Sequence, residues 1–235
     1  MSETDPTSAP AATPAGAPPA PPQGVLALTS VHPAGRALGL RKGDLLTRID
    51  GRACDGRTTT LSAAFRTAPT GRCILEFRRA GRGWCVRADT PALGRWRTVP
   101  APAPGPERDL RGLRNWEVMV APGGQYDAQP QDPGLLPLLA PVHMIHMRLW
   151  APLAIWAALL ILCLPLGWLL GGLVQIIAAI YFWRAAPALV RADRVARGYR
   201  LWGVVAARSE AMLHRQIADL APDMPFVHAP PRAPA

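Results

Sequence analysis

The chain has 235 residues and a formal net charge of +10, and 25 of its 26 basic residues are arginine. This length leaves room for one small domain with accessory segments beside any part that lies in a membrane. The four cysteines form no CxxC pair and no other zinc spacing, so we expect neither a structural metal nor a cofactor.

Both ends of the chain predict disordered tails. Residues 1–23 contain seven prolines and six alanines, a composition typical of polyproline II segments. They have neither a basic start nor an apolar core, so they do not predict a secretory signal peptide. Residues 229–235 are again rich in proline and predict a second tail.

Residues 24–97 predict a compact domain rich in β-strands. Apolar alternation, tight Gly-Asp and Asp-Gly turns and one helical i, i+3, i+4 pattern recur along this block. The predicted elements are a strand at 25–31, a short helix at 33–37, a strand between Gly43-Asp44 and Asp50-Gly51, a helix around Leu61, Ala64 and Phe65, and strands at 72–78 and 84–87.

The most specific pattern is Val31-x-Pro33-Ala34-Gly35-x-Ala37-x-Gly39-Leu40-x-x-Gly43-Asp44-x-Leu46-x-x-Ile49-Asp50-Gly51, followed by the Leu61–Phe65 helix and Phe77-Arg78-Arg79-x-Gly81. This pattern resembles a bacterial PDZ domain, of the kind attached to HtrA-type and site-2 proteases. The alternative is a generic small β-rich domain. The resemblance implies that a partner peptide adds as a strand beside the helix. The residues expected to bind it are Val25, Leu26, Ala27, Leu28, Thr60 and Ala64.

The block departs from the PDZ pattern upstream of its first strand. PDZ domains carry there a strand and a glycine-containing loop that hold a peptide carboxylate, whereas this chain has Pro18–Gln23. Proline lacks the N–H that a ladder or an anion site needs. The loop is therefore missing or supplied from elsewhere. Strand addition beside the helix of Leu61 and Phe65 remains possible, and Trp116–Val120 could fill that place from within the chain.

The charge of the block is a second clue. Residues 24–97 contain 14 basic and 5 acidic side chains, which is nearly all the net charge. The excess is either a solvated arginine-rich surface or an attraction to anionic lipid or to an acidic partner. We do not expect nucleic acid as the partner, because no recognition helix, zinc finger or aromatic platform accompanies the charge.

Residues 98–147 predict a linker rich in proline and glycine, with one short strand at 116–120 and an irregular stretch at 121–141. His143 and His146 alternate with methionines just before the apolar run. We interpret them as an interfacial segment rather than a copper or haem site, because no third strong ligand motif accompanies them.

Leu149 to Trp183 form a run of 35 residues without a charged side chain, broken by Pro165-Leu166-Gly167. One straight helix of this length would measure about 52 Å, against a hydrocarbon core of about 30 Å. Residues 148–184 therefore predict either a membrane hairpin or a single tilted span with an interfacial extension.

The two ends of the apolar run are alike, because Arg148 and Trp150 stand at its start and Trp183 and Arg184 at its end. Aromatic residues and arginine prefer the membrane interface, so this similarity favours the hairpin. A single span would also export the basic block without a signal peptide, while the arginines after residue 183 mark the inside. Gly167 and Gly171 match GxxxG, which permits a dimer contact; alternatively they serve the turn. The residues expected to contact the membrane are Trp150, Trp156, Pro165, Gly167, Trp168, Gly171, Gly172, Trp183 and Arg184.

Residues 185–228 predict a basic segment, a strand at 201–206 and a helix from the N-cap Ser209 to about Leu220. The basic segment could lie on the membrane surface, or it flanks the insert as a positive stop, and the two interpretations are compatible. If the insert is a hairpin, the strands at 116–120 and 201–206 emerge on the same side and can pair.

We do not expect an enzyme, because HExxH, GxSxG and SxxK are absent and no carboxylate pair lies in an apolar segment. The predicted fold is α+β: a PDZ-like domain, a helical membrane hairpin and a C-terminal strand–helix segment. The favoured function is a membrane-anchored adaptor at the cytoplasmic side of a bacterial inner membrane, bound to an unidentified membrane or membrane-associated protein. The alternatives are an accessory subunit that contacts a membrane complex through the apolar segment, a regulator of membrane proteolysis, and a single-span protein with a periplasmic PDZ-like domain.

Overall fold

The computed structural model of the chain describes residues 24–103, 105, 107–132, 134 and 139–229. The predicted tails at 1–23 and 230–235 lie outside these residues. The strands are β1 (Val25–Val31), β2 (Leu45–Ile49), β3 (Arg52–Ala53), β4 (Cys73–Arg79), β5 (Arg82–Ala88), β6 (Gly94–Val99), β7 (Arg114–Val120), β8 (Tyr126–Pro130) and β9 (Arg200–Ala207). The helices are α1 (Pro33–Ala37), α2 (Thr58–Thr67), α3 (Ala140–His146), α4 (Trp150–Cys163), α5 (Gly167–Ala196) and α6 (Glu210–Leu220).

The first sheet has the strand order β5-β4-β2-β1-β6, with β3 paired to β2, and every pairing in it is antiparallel. The strands predicted at 25–31, 72–78 and 84–87 are confirmed. So is the helix of Leu61 and Phe65, whose side chains are both buried. The prediction of mixed helix and sheet is therefore correct for this part of the chain.

Strand β6 pairs with β1 and faces α2, so it occupies the place beside the helix that the sequence offered to Trp116–Val120. Its register runs from Val25 opposite Val99 to Val31 opposite Gly94. The assignment of 116–120 to this place was wrong, because those residues belong to another sheet. Strand β6 escaped prediction because arginines interrupt it, although Trp96 stacks on the buried Phe77 with 6.4 Å between ring centroids.

The second sheet has the order β8-β7-β9, and its central pair joins strands that lie on either side of the apolar run. Arg114 opposite Ala207 and Val120 opposite Arg200 mark the two ends of that pairing. The expectation that 116–120 and 201–206 pair is confirmed. Strand β8 falls in the stretch predicted to be irregular, and that prediction is corrected.

The two sheets share one hydrophobic core, so residues 98–147 are not merely a linker. Buried side chains of the first sheet pack in the same cluster as Trp116, Val118 and Val205. The backbones also meet, since the Val204 N–H donates to the Leu38 carbonyl at 3.0 Å. A β-carbon on Gly39 would lie 2.2 Å from the α-carbon of Gly203, so this approach requires glycine.

Helix α6 closes the second sheet as predicted. The Ser209 side chain caps it by accepting from the Met212 N–H at 3.3 Å. Leu213 and Ile217 are fully buried in the shared core. The predicted strand–helix segment is therefore confirmed, but as part of the main body rather than as an accessory.

Helices α4 and α5 are joined by a short 3-10 turn at Leu164–Leu166 and lie against each other. Gly167 has φ +74°, a conformation that glycine adopts without strain. A β-carbon on Gly171 would lie 3.1 Å from the Cys163 carbonyl oxygen, so Gly171 faces α4. These contacts favour the alternative that the two glycines serve the turn rather than a dimer.

The C-terminal part of α5 is fixed to the second sheet by ion pairs. Arg191 makes two hydrogen bonds of 2.8 and 2.7 Å to the carboxylate of Glu117, which is 1% exposed. Arg194 lies 2.7 Å from Asp127 on β8. Two arginines of the basic segment are therefore bound to the folded body, while the prediction that the segment lies at the membrane surface stays a prediction.

The Glu117–Arg191 pair yields a stability prediction. We expect Arg191→Leu to lower the free energy of unfolding by about 2–3 kcal/mol, because it leaves a buried carboxylate without a partner. The loss stays below that of a fully buried pair, since the Arg191 side chain is 47% exposed. Denaturant unfolding in detergent can be followed by thiol labelling, because all four cysteines are free and buried.

The matched control is Arg197→Leu, at the residue that follows the last residue of α5. Arg197 pairs with Asp193 in an exposed i, i+4 contact of 3.0 Å, which contributes about 0–1 kcal/mol. Equal losses in the two variants would contradict the anchoring role of Glu117.

Candidate functional site

Two apolar helices expose most of their large side chains. Helix α5 is long and apolar enough to cross a membrane, whereas α4 has 14 residues. Trp168, beside the turn, is 84% exposed and Trp150 is 62% exposed. Such a continuous apolar surface is costly in water and typical of contact with lipid or with another protein.

The predicted membrane-contact residues divide into exposed and internal positions. Trp150, Pro165, Gly167, Trp168, Gly172 and Arg184 are exposed. Gly171 is buried against α4, and Trp156 packs in a small cluster with Phe182 and Val190. Trp183 is half-buried and donates from its indole nitrogen to the Gly134 carbonyl at 2.7 Å.

A groove lies between α2 and β6 and has a volume of about 570 Å³. Thr58, Leu61 and Ser62 line it from the helix, and Gly94, Arg95 and Trp96 line it from the strand. Among the described residues β6 pairs with β1 alone, so the other edge of β6 carries backbone groups without a strand partner. An extended peptide could pair with such an edge.

This geometry corrects the predicted peptide site. Val25, Leu26, Ala27 and Leu28 are buried and lie on β1, which is paired on both sides by β2 and β6. They line no open strand edge. Thr60 and Ala64 are on α2 but do not line the groove. The helix was located correctly, and the strand beside it was missed.

A second concavity, the arginine cleft, lies where the two sheets meet α5 and has a volume of about 1030 Å³. Five arginines and two aspartates contribute to its lining: Arg72, Arg87, Arg114, Arg184, Arg191, Asp89 and Asp132. The first and last of them are more than 100 residues apart in the sequence, so no local sequence motif indicates the cleft. Sequence reasoning located the positive charge but not this arrangement.

Asn115 sets the geometry of the cleft. Its side chain accepts from the Arg87 N–H at 2.9 Å and donates to the Arg87 carbonyl at 2.8 Å and to Gln131 at 3.0 Å. These bonds join β5 of the first sheet to β7 of the second. The paired bonds to one residue fix where the Arg87 side chain leaves the strand.

Arginines in the cleft differ in how far they are neutralised. Arg191 is paired with Glu117, and the Arg114 guanidinium lies 4.9 Å from the centre of the Trp116 ring. Within the described residues, Arg72, Arg87 and Arg184 make no ion pair. The cleft therefore keeps an excess of positive charge after internal pairing.

A third cluster joins Tyr126 of β8 to α6. The Tyr126 hydroxyl is hydrogen-bonded to Nδ1 of His214, and Nε2 of His214 lies 3.4 Å from Glu210. Burial, with a smaller effect of Glu210, raises the pKa of Tyr126 to about 12. A hydroxyl with that pKa stays protonated at neutral pH, so Tyr126 is not suited to act as a general base there.

No group of three or more His, Cys, Asp or Glu side chains suited to a metal occurs in the described part of the chain. His143 is buried, whereas His146 is exposed and lines a different concavity. Burial raises the pKa of the Cys73 thiol to about 12, which makes it a poor nucleophile or ligand.

Comparison with known proteins gives no relative: no protein-family model, no curated protein and no solved structure matches this chain.

The raised pKa of Tyr126 gives a pH prediction. The folded state holds this proton more tightly than the unfolded state, whose tyrosine pKa is near 10. Stability should therefore be fully present below pH 10 and be lost as the pH rises towards 12. Denaturant midpoints between pH 9 and 12 measure the effect.

Two tyrosine variants isolate that contribution. Tyr126→Phe should be less stable than the natural chain at pH 9, because it loses the hydrogen bond to His214. Its stability should fall less than that of the natural chain as the pH rises above 10. The matched control is Tyr199→Phe, which removes a hydroxyl outside the Tyr126–His214 contact and should keep the full loss of stability. An unchanged decline in Tyr126→Phe would contradict this assignment.

Proposed function

We propose that the protein is a non-catalytic, membrane-anchored PDZ-like adaptor that binds an extended peptide of a protein partner. The observation that carries the proposal is the groove between α2 and the unpaired edge of β6. Main-chain pairing along such an edge supplies affinity, and the helix supplies side-chain contacts. The PDZ resemblance of residues 24–97 points to the same helix.

The anchor in this proposal is a hairpin of α4 and α5 that enters and leaves the membrane on one side. Support comes from the β7–β9 pair, since hydrogen-bonded strands cannot lie on opposite sides of a bilayer. The lengths of the two helical segments agree with a re-entrant insertion. Helix α4 measures about 21 Å and residues 167–183 about 25 Å, and both are shorter than the hydrocarbon core of about 30 Å.

We place the folded body on the cytoplasmic side of a bacterial inner membrane. Arg148 and Arg184 stand at the two ends of the apolar hairpin, and Arg197 donates to the Arg148 carbonyl at 3.0 Å. Arginine beside apolar helices favours the cytoplasmic side. Trp150 and Trp183 accompany these arginines at the depth where indole rings prefer to lie.

The second candidate function is an accessory subunit that binds a membrane complex through its helices. It is favoured by Gly172, around which nothing lies within 4 Å of an added β-carbon, so that a partner helix could approach closely. A regulator of membrane proteolysis would be a special case of the adaptor, with a protease as partner.

Peptide binding by the full chain tests the adaptor. Extended peptides selected from a display library against the detergent-solubilised protein should bind to it, and Ser62→Trp should reduce their affinity at least tenfold by filling the groove. Thr59→Trp is the matched control, because Thr59 is an exposed residue of α2 that does not line the groove. Equal losses, or no selected peptide, would contradict the proposal. Deletion of 24–97 is unsuitable, because it would destroy the shared core.

The topology is tested separately by thiol labelling in intact cells. In a variant without the native cysteines, Thr59→Cys and Arg215→Cys place one thiol before and one after the apolar helices, both on exposed positions. We expect an impermeant maleimide to label neither until the inner membrane is opened. Labelling of one position alone would favour a single span.

A further inference from the structure

We propose that the arginine cleft binds the phosphate group of an anionic phospholipid headgroup. This inference rests on the membrane anchoring proposed above, but it concerns a site separate from the peptide groove. Its occupant would be a lipid drawn laterally from the leaflet that surrounds the hairpin.

The position of the cleft relative to the apolar helix is the first argument. Trp183 and Arg184 lie in the cleft wall and are also the residues at which the apolar part of α5 ends. Indole rings and guanidinium groups prefer the headgroup region. With the hairpin inserted, the cleft opens at the depth of the lipid phosphates.

The chemistry of the lining is the second argument. Arg72, Arg87 and Arg184 have no ion-pair partner within the described residues, and they line the cleft from the loop before β4, from β5 and from α5. Guanidinium groups bind phosphate through two parallel hydrogen bonds, which gives directed recognition as well as attraction. Four arginines remain after Arg191 pairs with Glu117, against two aspartates, so the cleft favours an anion.

Preorganisation is the third argument. Asn115 fixes the backbone of Arg87, and the indole N–H of Trp183 is held by the Gly134 carbonyl. The Trp116 ring supports the guanidinium of Arg114 from below. The backbone of Arg87, the Trp183 ring and the Arg114 guanidinium are therefore already in place, which lowers the entropic cost of binding at these positions.

An acidic peptide is the competing occupant, and the wall of the cleft argues against it. One side is formed by α5 at the end of its apolar part, where lipid is present at high local concentration. The groove beside β6, by contrast, offers the unpaired strand edge that a peptide needs.

The test measures lipid binding by the intact chain in zwitterionic detergent. Native mass spectrometry would compare phosphatidylglycerol with phosphatidylcholine as added probes, for the natural chain and for the pair Arg72→Gln with Arg87→Gln. We expect phosphatidylglycerol to bind preferentially and the double variant to bind it about tenfold more weakly. Excess inorganic phosphate should compete poorly.

The control pair is Arg52→Gln with Arg66→Gln, two exposed arginines that remove the same charge outside the cleft. A general attraction of the basic surface would weaken binding equally in both pairs and would overturn the inference. Equal binding of the two lipids would also overturn it, as would displacement of phosphatidylglycerol by inorganic phosphate. Polyglutamate serves as a probe for an acidic peptide. If the cleft pair weakened the binding of polyglutamate but not of phosphatidylglycerol, the inference would be overturned as well.

Failure of this inference can be told apart from failure of the anchor. A chain that stays in the membrane fraction after alkaline washing but shows no lipid preference contradicts the cleft assignment alone. A chain released by that washing contradicts the membrane anchor on which the inference rests.

Discussion

The pairing of β7 with β9 is the constraint on which the rest of the structure depends. These strands flank residues 121–199, which include both apolar helices, yet they are hydrogen-bonded neighbours. The apolar segment must therefore leave and return on one face of the folded body. The same pairing completes the shared core and places α5 where its arginines reach Glu117 and Asp127.

This arrangement puts two concave surfaces on one folded body with a shared core. The groove beside β6 belongs to the first sheet alone, whereas the arginine cleft needs both sheets and α5. In the proposed function the hairpin holds the body at the membrane, the cleft engages a lipid headgroup, and the groove remains available to a protein partner.

Elements with clear local signals were predictable, and elements defined by distant partners were not. The i, i+4 pair Leu61 and Phe65 located α2, and Ser209 located the start of α6. Strand β6 was hidden because alternating arginines resemble a loop, and β8 because it begins in a Gly-Pro-rich stretch. The cleft was unpredictable in principle, since its arginines are brought together only by the tertiary fold. The ion pair of Glu117 with Arg191 was unpredictable for the same reason, because these residues are 74 positions apart and meet only in the folded chain.

A disulfide between β7 and β9 in native membranes tests the central claim most directly. Val120→Cys and Arg200→Cys, in a chain without its four natural cysteines, place thiols on directly opposite residues. Opposite residues of antiparallel strands lie within reach of a disulfide. The account predicts efficient crosslinking on mild oxidation, seen as an altered mobility of the monomer that reductant reverses. Absence of the crosslink, with each thiol reacting from a different side of the membrane, would contradict it.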